Sequence, residues 1–302
     1  MSDSFLVVCL NPTLQLTFRL DVLAPGQVNR VRSQRLDLAG KGANTARILG
    51  QLGEDSVHLT QAGGKHLETF LRLAAEDGLT LRYVPGRIEI RHCYTLLDAG
   101  ARTTTEIVEP GTEASPGLEE AVRTEYSALL PGSHTVIISG SKAPGFSDGL
   151  FPWMVEAAHS RGLRVVLDIR GDDLVNALPY RPVVKINVNE FSSTFLDEPI
   201  PEETDAAHMP LELTERMRTI AEDGCQVVLT NGSRPVMYVE DGRVETIAPA
   251  HVTPVNAIGS GDAVTAGLAA GLRRGLPLRE AIRLGLDCAR RNVQLEKPGT
   301  IE

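Results

Sequence analysis

The 302 residues are 42% apolar, 23% charged and 4% aromatic, enough for one large domain with a sizeable core. A formal net charge of −9 argues against a general binder of nucleic acid or of an anionic membrane, so neither is expected as a partner. The opening Met1-Ser2-Asp3-Ser4-Phe5 offers no basic n-region or apolar h-region, and no later run approaches transmembrane length, which points to a cytoplasmic protein.

Residues 5–10 form a short apolar run of strand length that Asn11-Pro12 breaks. Residues 14–22 alternate apolar and polar, and residues 28–38 do so less regularly; both read as strands open to water on one face. Ala39-Gly40-Lys41-Gly42-Ala43-Asn44 then feeds a helix that Gly53 stops. This turn is either an ordinary loop and cap or a place where Gly40 and Gly42 admit a ligand, with Lys41 and Asn44 offering it a charge and an amide. Residues 57–61 suit a strand and 65–77 a helix closed by Gly78. Residues 87–97 and 102–109 flank Asp98-Ala99-Gly100-Ala101 as a hairpin. Together with residues 14–38 the hairpin forms a small sheet apart from the main one and places Arg91 on a substrate-facing surface. In so acidic a chain a phosphorylated substrate needs a local cluster of positive charge, for which Arg30, Arg32, Arg35, Lys41 and Arg91 are candidates.

From residue 118 the alternation is regular. Helices over 118–130, 148–161 and 174–178 interleave with strands over 135–139, 163–168 and 183–186. Short apolar strands separated by helices imply a largely parallel sheet covered on both faces, with ligands at the carboxyl ends of the strands. Those ends carry Ser139-Gly140-Ser141, Asp168, and Lys185 with Asn187 and Glu190. Asn187 and Glu190 are spaced either as a helix N-cap pair or as two oxygen donors for Mg2+ and its waters. The acidic, proline-rich stretch 197–210 reads as a mobile surface loop without catalytic signal. A helix over 211–223, a strand over 226–230, the turn Asn231-Gly232 and a hairpin over 236–247 follow, and residues 277–295 form one amphipathic helix. The chain shows no internal repeat and is taken as a single domain over 1–302.

Residues 254–275 organise the rest. Gly259-Ser260-Gly261 is a flexible turn, and the Ala- and Leu-rich chain from Ala263 favours helix, so Asp262 stands at or beside a helix N-terminus. Free amides and the positive end of the helix dipole make such a turn an anion cradle. A carboxylate beside it either caps the helix or accepts the proton of a hydroxyl attacking a phosphoryl group. Val264 stands where a dinucleotide fingerprint needs glycine, and no Gly-Lys-Ser/Thr of a P-loop is present. Gly267, Gly271 and Gly275 recur every fourth residue as a smooth face for close packing. Cys9, Cys93, Cys225 and Cys288 are widely spaced and read as buried thiols, with neither disulfide nor structural metal implied.

Four motifs in this order resemble the ribokinase/PfkB-type carbohydrate kinases over nearly the whole chain. They are Gly40-Lys41-Gly42-Ala43-Asn44 with Ala46-Arg47, Ser139-Gly140-Ser141 with Pro144-Gly145, Lys185-Ile186-Asn187 with Glu190, and Ile258-Gly259-Ser260-Gly261-Asp262. Asn11-Pro12, residues 26–30, residues 39–42 and residues 292–301 look most like the branch that phosphorylates hexose monophosphates, including 1-phosphofructokinase and tagatose-6-phosphate kinase.

The resemblance implies an α/β fold, a ribokinase-like αβα sandwich with a small β lid from about residues 12–38 and 87–109, often used to form a homodimer. It implies ATP and Mg2+ as cofactors and a sugar phosphate as partner, with fructose 1-phosphate the foremost acceptor. By that similarity Asp262 is the base and Gly259, Ser260 and Gly261 supply the anion hole. Asn187 and Glu190 organise Mg2+ and phosphates, while Lys185, Thr230, Gly232 and Asn292 mark the nucleotide side. Gly40, Lys41, Asn44 and Ser139 line the sugar site, and Arg30 and Arg91 take its existing phosphate. Gln15 stands where such families usually carry an Asp, Ile186 where a proline is usual, and Arg234-Pro235 where a second glycine is common.

Overall fold

The computed structural model describes residues 4–302; Met1, Ser2 and Asp3, which open the stretch read for a leader, lie outside the described residues. Strand β1 (Ser4–Val8) runs through the middle, and Phe5, Leu6, Val7 and Val8 are all fully buried. Successive strand residues point to opposite faces, so Leu6 and Val8 join one core while Phe5 and Val7 join the other. A strand apolar on both sides can only sit inside a sheet covered twice.

The remaining strands are β2 (Thr13–Leu20), β3 (Ser33–Ala39), β4 (Ser56–Ala62), β5 (Thr80–Pro85), β6 (Arg91–Asp98), β7 (Thr103–Val108), β8 (Ser133–Ser139), β9 (Arg164–Asp168), β10 (Val183–Asn187), β11 (Gln226–Asn231), β12 (Arg234–Glu240) and β13 (Arg243–Ile247). The helices are α1 (Lys41–Gln51), α2 (Leu67–Glu76), α3 (Leu118–Leu129), α4 (Leu150–His159), α5 (Asp172–Val175), α6 (Val188–Phe195), α7 (Leu211–Glu222), α8 (Ser260–Arg273) and α9 (Leu278–Asn292). The main sheet runs β13-β12-β11-β10-β9-β8-β1-β4-β5, parallel from β11 to β5 with β12 and β13 antiparallel at one edge. Helices α3, α4, α6 and α7 cover one face and α1, α8 and α9 the other. Two of the three glycines expected to give α8 a smooth face do so: a Cβ on Gly267 would come within 2.6 Å of Gly285, and one on Gly271 within 2.7 Å of Ala281, whereas Gly275 lies beyond the helix at φ +77 with open space around it.

The small sheet has the order β3-β2-β6-β7. Its β6–β7 pair is the expected hairpin, but β6 joins β2 in parallel, Gln15 opposite Cys93. Leu14, Leu38 and Ile90 bury its inner side against Phe70 and Ala74 of α2, which fixes it beside the carboxyl ends of β1 and β8.

Two local expectations shift, and one strand goes unforeseen. Strand β3 begins at Ser33 rather than near residue 28, because the Asn29 side chain bonds the backbone of Ala24 and Gln27 and folds that stretch into a turn. Helix α8 begins at Ser260, so Gly261 and Asp262 lie inside its first turn. Strand β5 carries little apolar pattern, since it is an edge strand buried fully only at Val84. Among the described residues no helix is long and apolar enough to cross a membrane, and the four cysteines are free and buried.

Candidate active site

A cavity of about 790 Å³ lies at the carboxyl ends of β9, β10 and β11, between the main sheet and the small one. Gly259 at its head has φ +84, and a Cβ there would fall 2.5 Å from the Gly299 nitrogen, so only glycine fits. The Ser260 N–H bonds the Ala257 carbonyl and the first helical bond runs from Ala263 N–H to the Gly259 carbonyl. The Gly261 and Asp262 amides precede that bond, at the positive end of the α8 dipole.

Asp262 is the third residue of α8, 6% exposed, and its side chain makes no cap. The competing readings of this residue therefore part: its carboxylate turns into the cavity and accepts a hydrogen bond from Asn44 Nδ2 at 2.8 Å. Burial first and the charge of Asp168 second push its carboxyl up to about 6, against Lys41, Asn44 and Lys185.

Asp168, which ends β9, has the opposite surroundings. It accepts Lys41 Nζ at 2.7 Å on one oxygen, and Lys185 Nζ at 3.1 Å and Thr265 Oγ1 at 2.9 Å on the other. Burial disfavours its charge, yet the two ammonium groups outweigh burial and hold the carboxyl well below the usual carboxylate range. Burial likewise opposes the Lys41 charge, while Asp168, Glu190 and Asp262 overcome it and hold the ammonium far above its ordinary value. Lys41 also donates to Glu190 Oε1 at 3.1 Å.

The Asn187–Glu190 pair forms a full capping box at the start of α6: Asn187 Oδ1 accepts the Glu190 amide at 2.6 Å, and Glu190 Oε2 accepts the Asn187 amide at 3.1 Å. The cap leaves Glu190 Oε1 facing Lys41 in the cavity. The cap thus takes up the Asn187 oxygen expected to face Mg2+, and of this pair the Glu190 Oε1 atom is the one left toward the cavity.

The cavity wall also includes Gln15, Gly40, Lys41, Asn44, Arg91, Lys185, Thr230 and Gly232. Gln15 is 2% exposed and donates to Thr95 at 2.6 Å, and Arg91 Nε donates to Thr13 at 3.1 Å. Arg30 is exposed in the connection between β2 and β3, outside this wall. Ser139 is fully buried opposite Asp168 in the sheet and also lies outside it. Asn292 is buried behind Gly259, where Nδ2 donates to the Thr300 carbonyl at 3.1 Å. Gly42 serves packing rather than ligand approach, since a Cβ there would fall 2.4 Å from Cys9.

Four acidic residues of the wall were left out by the sequence reading. Asp168 was marked as a strand end but given no role, and Glu106 sat in a hairpin without other signal. Glu202 and Glu203 belong to the stretch read as a loop without catalytic signal, yet both line the cavity. The Asn231 side chain pins that stretch by accepting the Glu203 amide at 2.7 Å and donating to the Thr204 carbonyl at 2.9 Å. Glu203, at φ +65, accepts the Ser233 amide at 3.2 Å.

The family model for pfkB family carbohydrate kinases matches residues 6–302. The chain belongs to that family. It is therefore a carbohydrate kinase, a phosphotransferase acting on an alcohol group, in a family that uses ATP. This pfkB kinase is 30% identical over 278 residues to a 1-phosphofructokinase of Xanthomonas campestris, covering 90% of this chain and 85% of the relative. It is 28% identical over 284 residues to the ATP-dependent 6-phosphofructokinase isozyme 2 of Mycobacterium tuberculosis, covering 93% and 81%. Phosphofructokinase-2 of Escherichia coli in complex with fructose-6-phosphate superposes with a TM-score of 0.81 at 22% identity, covering 96% of this chain and 93% of that one. The ribokinase-like sandwich expected from the motifs is the fold observed.

Proposed function

We propose that the protein transfers the γ-phosphoryl group of ATP to a hydroxyl of a ketohexose monophosphate, foremost fructose 1-phosphate to give fructose 1,6-bisphosphate. The observation that carries this reading is Asp262: a buried carboxylate, its carboxyl raised to about 6, that turns into the cavity from the first turn of α8. When ionised it accepts the proton of the substrate hydroxyl as the O–P bond forms. The bond from phosphorus to the bridging oxygen breaks and its electron pair leaves on ADP. The turn over residues 259–261 stabilises the charge spread over the transferring group through the Gly261 amide and the α8 dipole, since the Ser260 amide is already bonded to Ala257.

The nucleotide side is formed by Lys185, Asn187, Thr230 and Gly232, and the sugar side by Gln15, Gly40, Lys41, Asn44 and Arg91. Lys41 and Lys185 are committed to Asp168, and Glu106, Glu190, Glu202 and Glu203 add negative charge to the wall. A polyphosphate fits this lining when it brings its own cation. Among the described residues no group of three His, Cys, Asp or Glu side chains is placed to hold an ion by itself. Glu190 Oε1 suits Mg2+, which takes one or two carboxylates and completes its shell with phosphates and water. Bound there, Mg2+ neutralises charge on the phosphates. We include in this reading a small sheet that closes the sugar side as a lid and joins two copies, because β7 is exposed along its whole length, Ile107 and Val108 included.

A second reading is favoured by Glu106. It shares the cavity wall with Arg91 and stands opposite Thr95, the partner of Gln15. A carboxylate there opposes a phosphate and favours a sugar bearing only hydroxyl groups.

The deciding experiment is ADP release with Mg-ATP against fructose 1-phosphate, tagatose 6-phosphate, fructose 6-phosphate, fructose and ribose, with sedimentation for the dimer. Turnover on one phosphorylated ketohexose carries the first reading. Turnover only on an unphosphorylated sugar carries the second, and nucleotide binding without turnover on any acceptor would make the protein a sugar-phosphate sensor.

A further inference from the structure

Arg47 is 4% exposed and forms no part of the cavity wall, yet one of its nitrogens is a single residue away from Asp262. Nη1 reaches Asn44 Oδ1 at 3.2 Å and the carbonyls of Pro298 at 3.2 Å and Gly299 at 3.0 Å. Nη2 reaches the Leu38 carbonyl of β3 at 2.6 Å and Asp77 Oδ2 at 2.7 Å, and Nε reaches the same Asp77 oxygen at 3.0 Å. Lys297 closes on the other oxygen of Asp77. The guanidinium plane is thus held by α1, β3, the end of α2 and residues 297–299.

A guanidinium only donates, so the Asn44 atom that faces Arg47 must be the amide oxygen. That assignment turns Nδ2 toward Asp262 Oδ2, 2.8 Å away. With the amide reversed, two donors would meet at Arg47 and two acceptors would meet at Asp262. Asn44 and Arg47 are three apart on α1, which brings both onto one face. The tail fits closely over the amide, since a Cβ on Gly299 would fall 2.2 Å from Asn44.

We propose that Arg47 is a positioning residue for phosphoryl transfer: it locks the Asn44 amide in the orientation that holds Asp262 Oδ2, and so presents the other oxygen of Asp262 to the acceptor hydroxyl. The proposal rests on Asp262 serving as the base. The same lock ties the small sheet, through Leu38, and the tail, through Pro298 and Gly299, to the aim of one carboxylate.

The test is the acid limb of kcat/KM, because the Asn44 bond lowers the Asp262 carboxyl and its loss raises it. Arg47→Met keeps an apolar stem of similar length without donors, and Arg47→Lys keeps one donor. In Arg47→Met the acid limb is expected to move to higher pH and kcat to fall about tenfold, with KM for ATP changed less than about twofold. Arg47→Lys is expected to restore most of the limb, and Arg47→Met added to Asn44→Ala to move it no further. An unmoved limb in folded Arg47→Met, or a full further shift in the double variant, overturns the proposal. If Arg47→Met does not fold, Asp77→Asn loosens the guanidinium without deleting it and should move the limb in the same direction; an unmoved limb there is equally fatal. A carbon-13 carboxyl titration of Asp262 needs no substrate. A coupling to Arg47 seen there in a protein that phosphorylates nothing would sink the base role and this proposal's catalytic claim while leaving the lock itself measured.

Discussion

The end of β9 and the first turn of α8 each bury an aspartate at the same cavity, and their carboxyls are driven in opposite directions. Asp168 is 1% exposed and Asp262 6%, so burial alone cannot separate them. Two ammonium groups and a hydroxyl meet Asp168, whereas one neutral amide meets Asp262. The paired carboxylate is thereby fixed as a charge, and that fixed charge helps raise its neighbour to about 6. Partners rather than depth decide which aspartate is structure and which is available for proton transfer.

Removing the charge at the available site gives the largest expected effect. Asp262→Asn should lower turnover roughly 10²–10⁴-fold while ATP affinity stays within about threefold, measured by ADP release and calorimetry. Undiminished turnover would take Asp262 out of the chemistry and dissolve the contrast with Asp168. Next comes the paired site: Asp168→Ala leaves Lys185 without its carboxylate and Lys41 with Glu190 alone, and should cost about 3–5 kcal/mol in urea unfolding. A loss below 1 kcal/mol would show that water, not Asp168, solvates those lysines.

The pH dependence sharpens the comparison further. Asp262 must be ionised to accept a proton, so kcat/KM should fall about tenfold per unit as pH drops below about 6. For stability the sign is the reverse. A carboxyl raised in the folded state binds more protons there than in the unfolded chain, so its contribution is lost as pH rises from the unfolded value through about 6. Asp262→Asn should therefore be more stable than the parent at pH 8 by about 1–3 kcal/mol, with the difference vanishing near pH 4. Equal stability at both values would mean that Asp262 is not raised. The smallest effect is at the capping box, where Asn187→Ala should cost about 1 kcal/mol in thermal unfolding, apart from any change in nucleotide handling.

Much of this arrangement was legible in the sequence because glycine turns and strand ends mark where a parallel sheet presents its ligands. Gly259 to Asp262, Lys185 to Glu190 and Gly40 to Asn44 could be placed at one sheet end without coordinates. Partner choice was not legible: nothing near Lys41 in the chain shows that it spans to Asp168, 127 residues away. The rise of the Asp262 carboxyl to about 6 comes from burial and from Asp168, both tertiary facts. Strand β5 escaped because an edge strand alternates weakly. Arg30 sat in a motif, but Asn29 closes its own turn and leaves Arg30 in solvent, whereas Glu202 and Glu203 had no local signal and reach the cavity only through Asn231.

The contacts made by residues 298–301 bear on when the enzyme can begin to work. Gly299 packs on Asn44, Pro298 and Gly299 receive Arg47, Asn292 donates to Thr300, and the Ile301 amide returns to Gln51. A ribosome that has delivered α8 has made both the base and its cradle, yet the piece that seats Asn44 has still to emerge. A chain made only through α8 therefore holds Asp262 without the contacts that seat its amide partner.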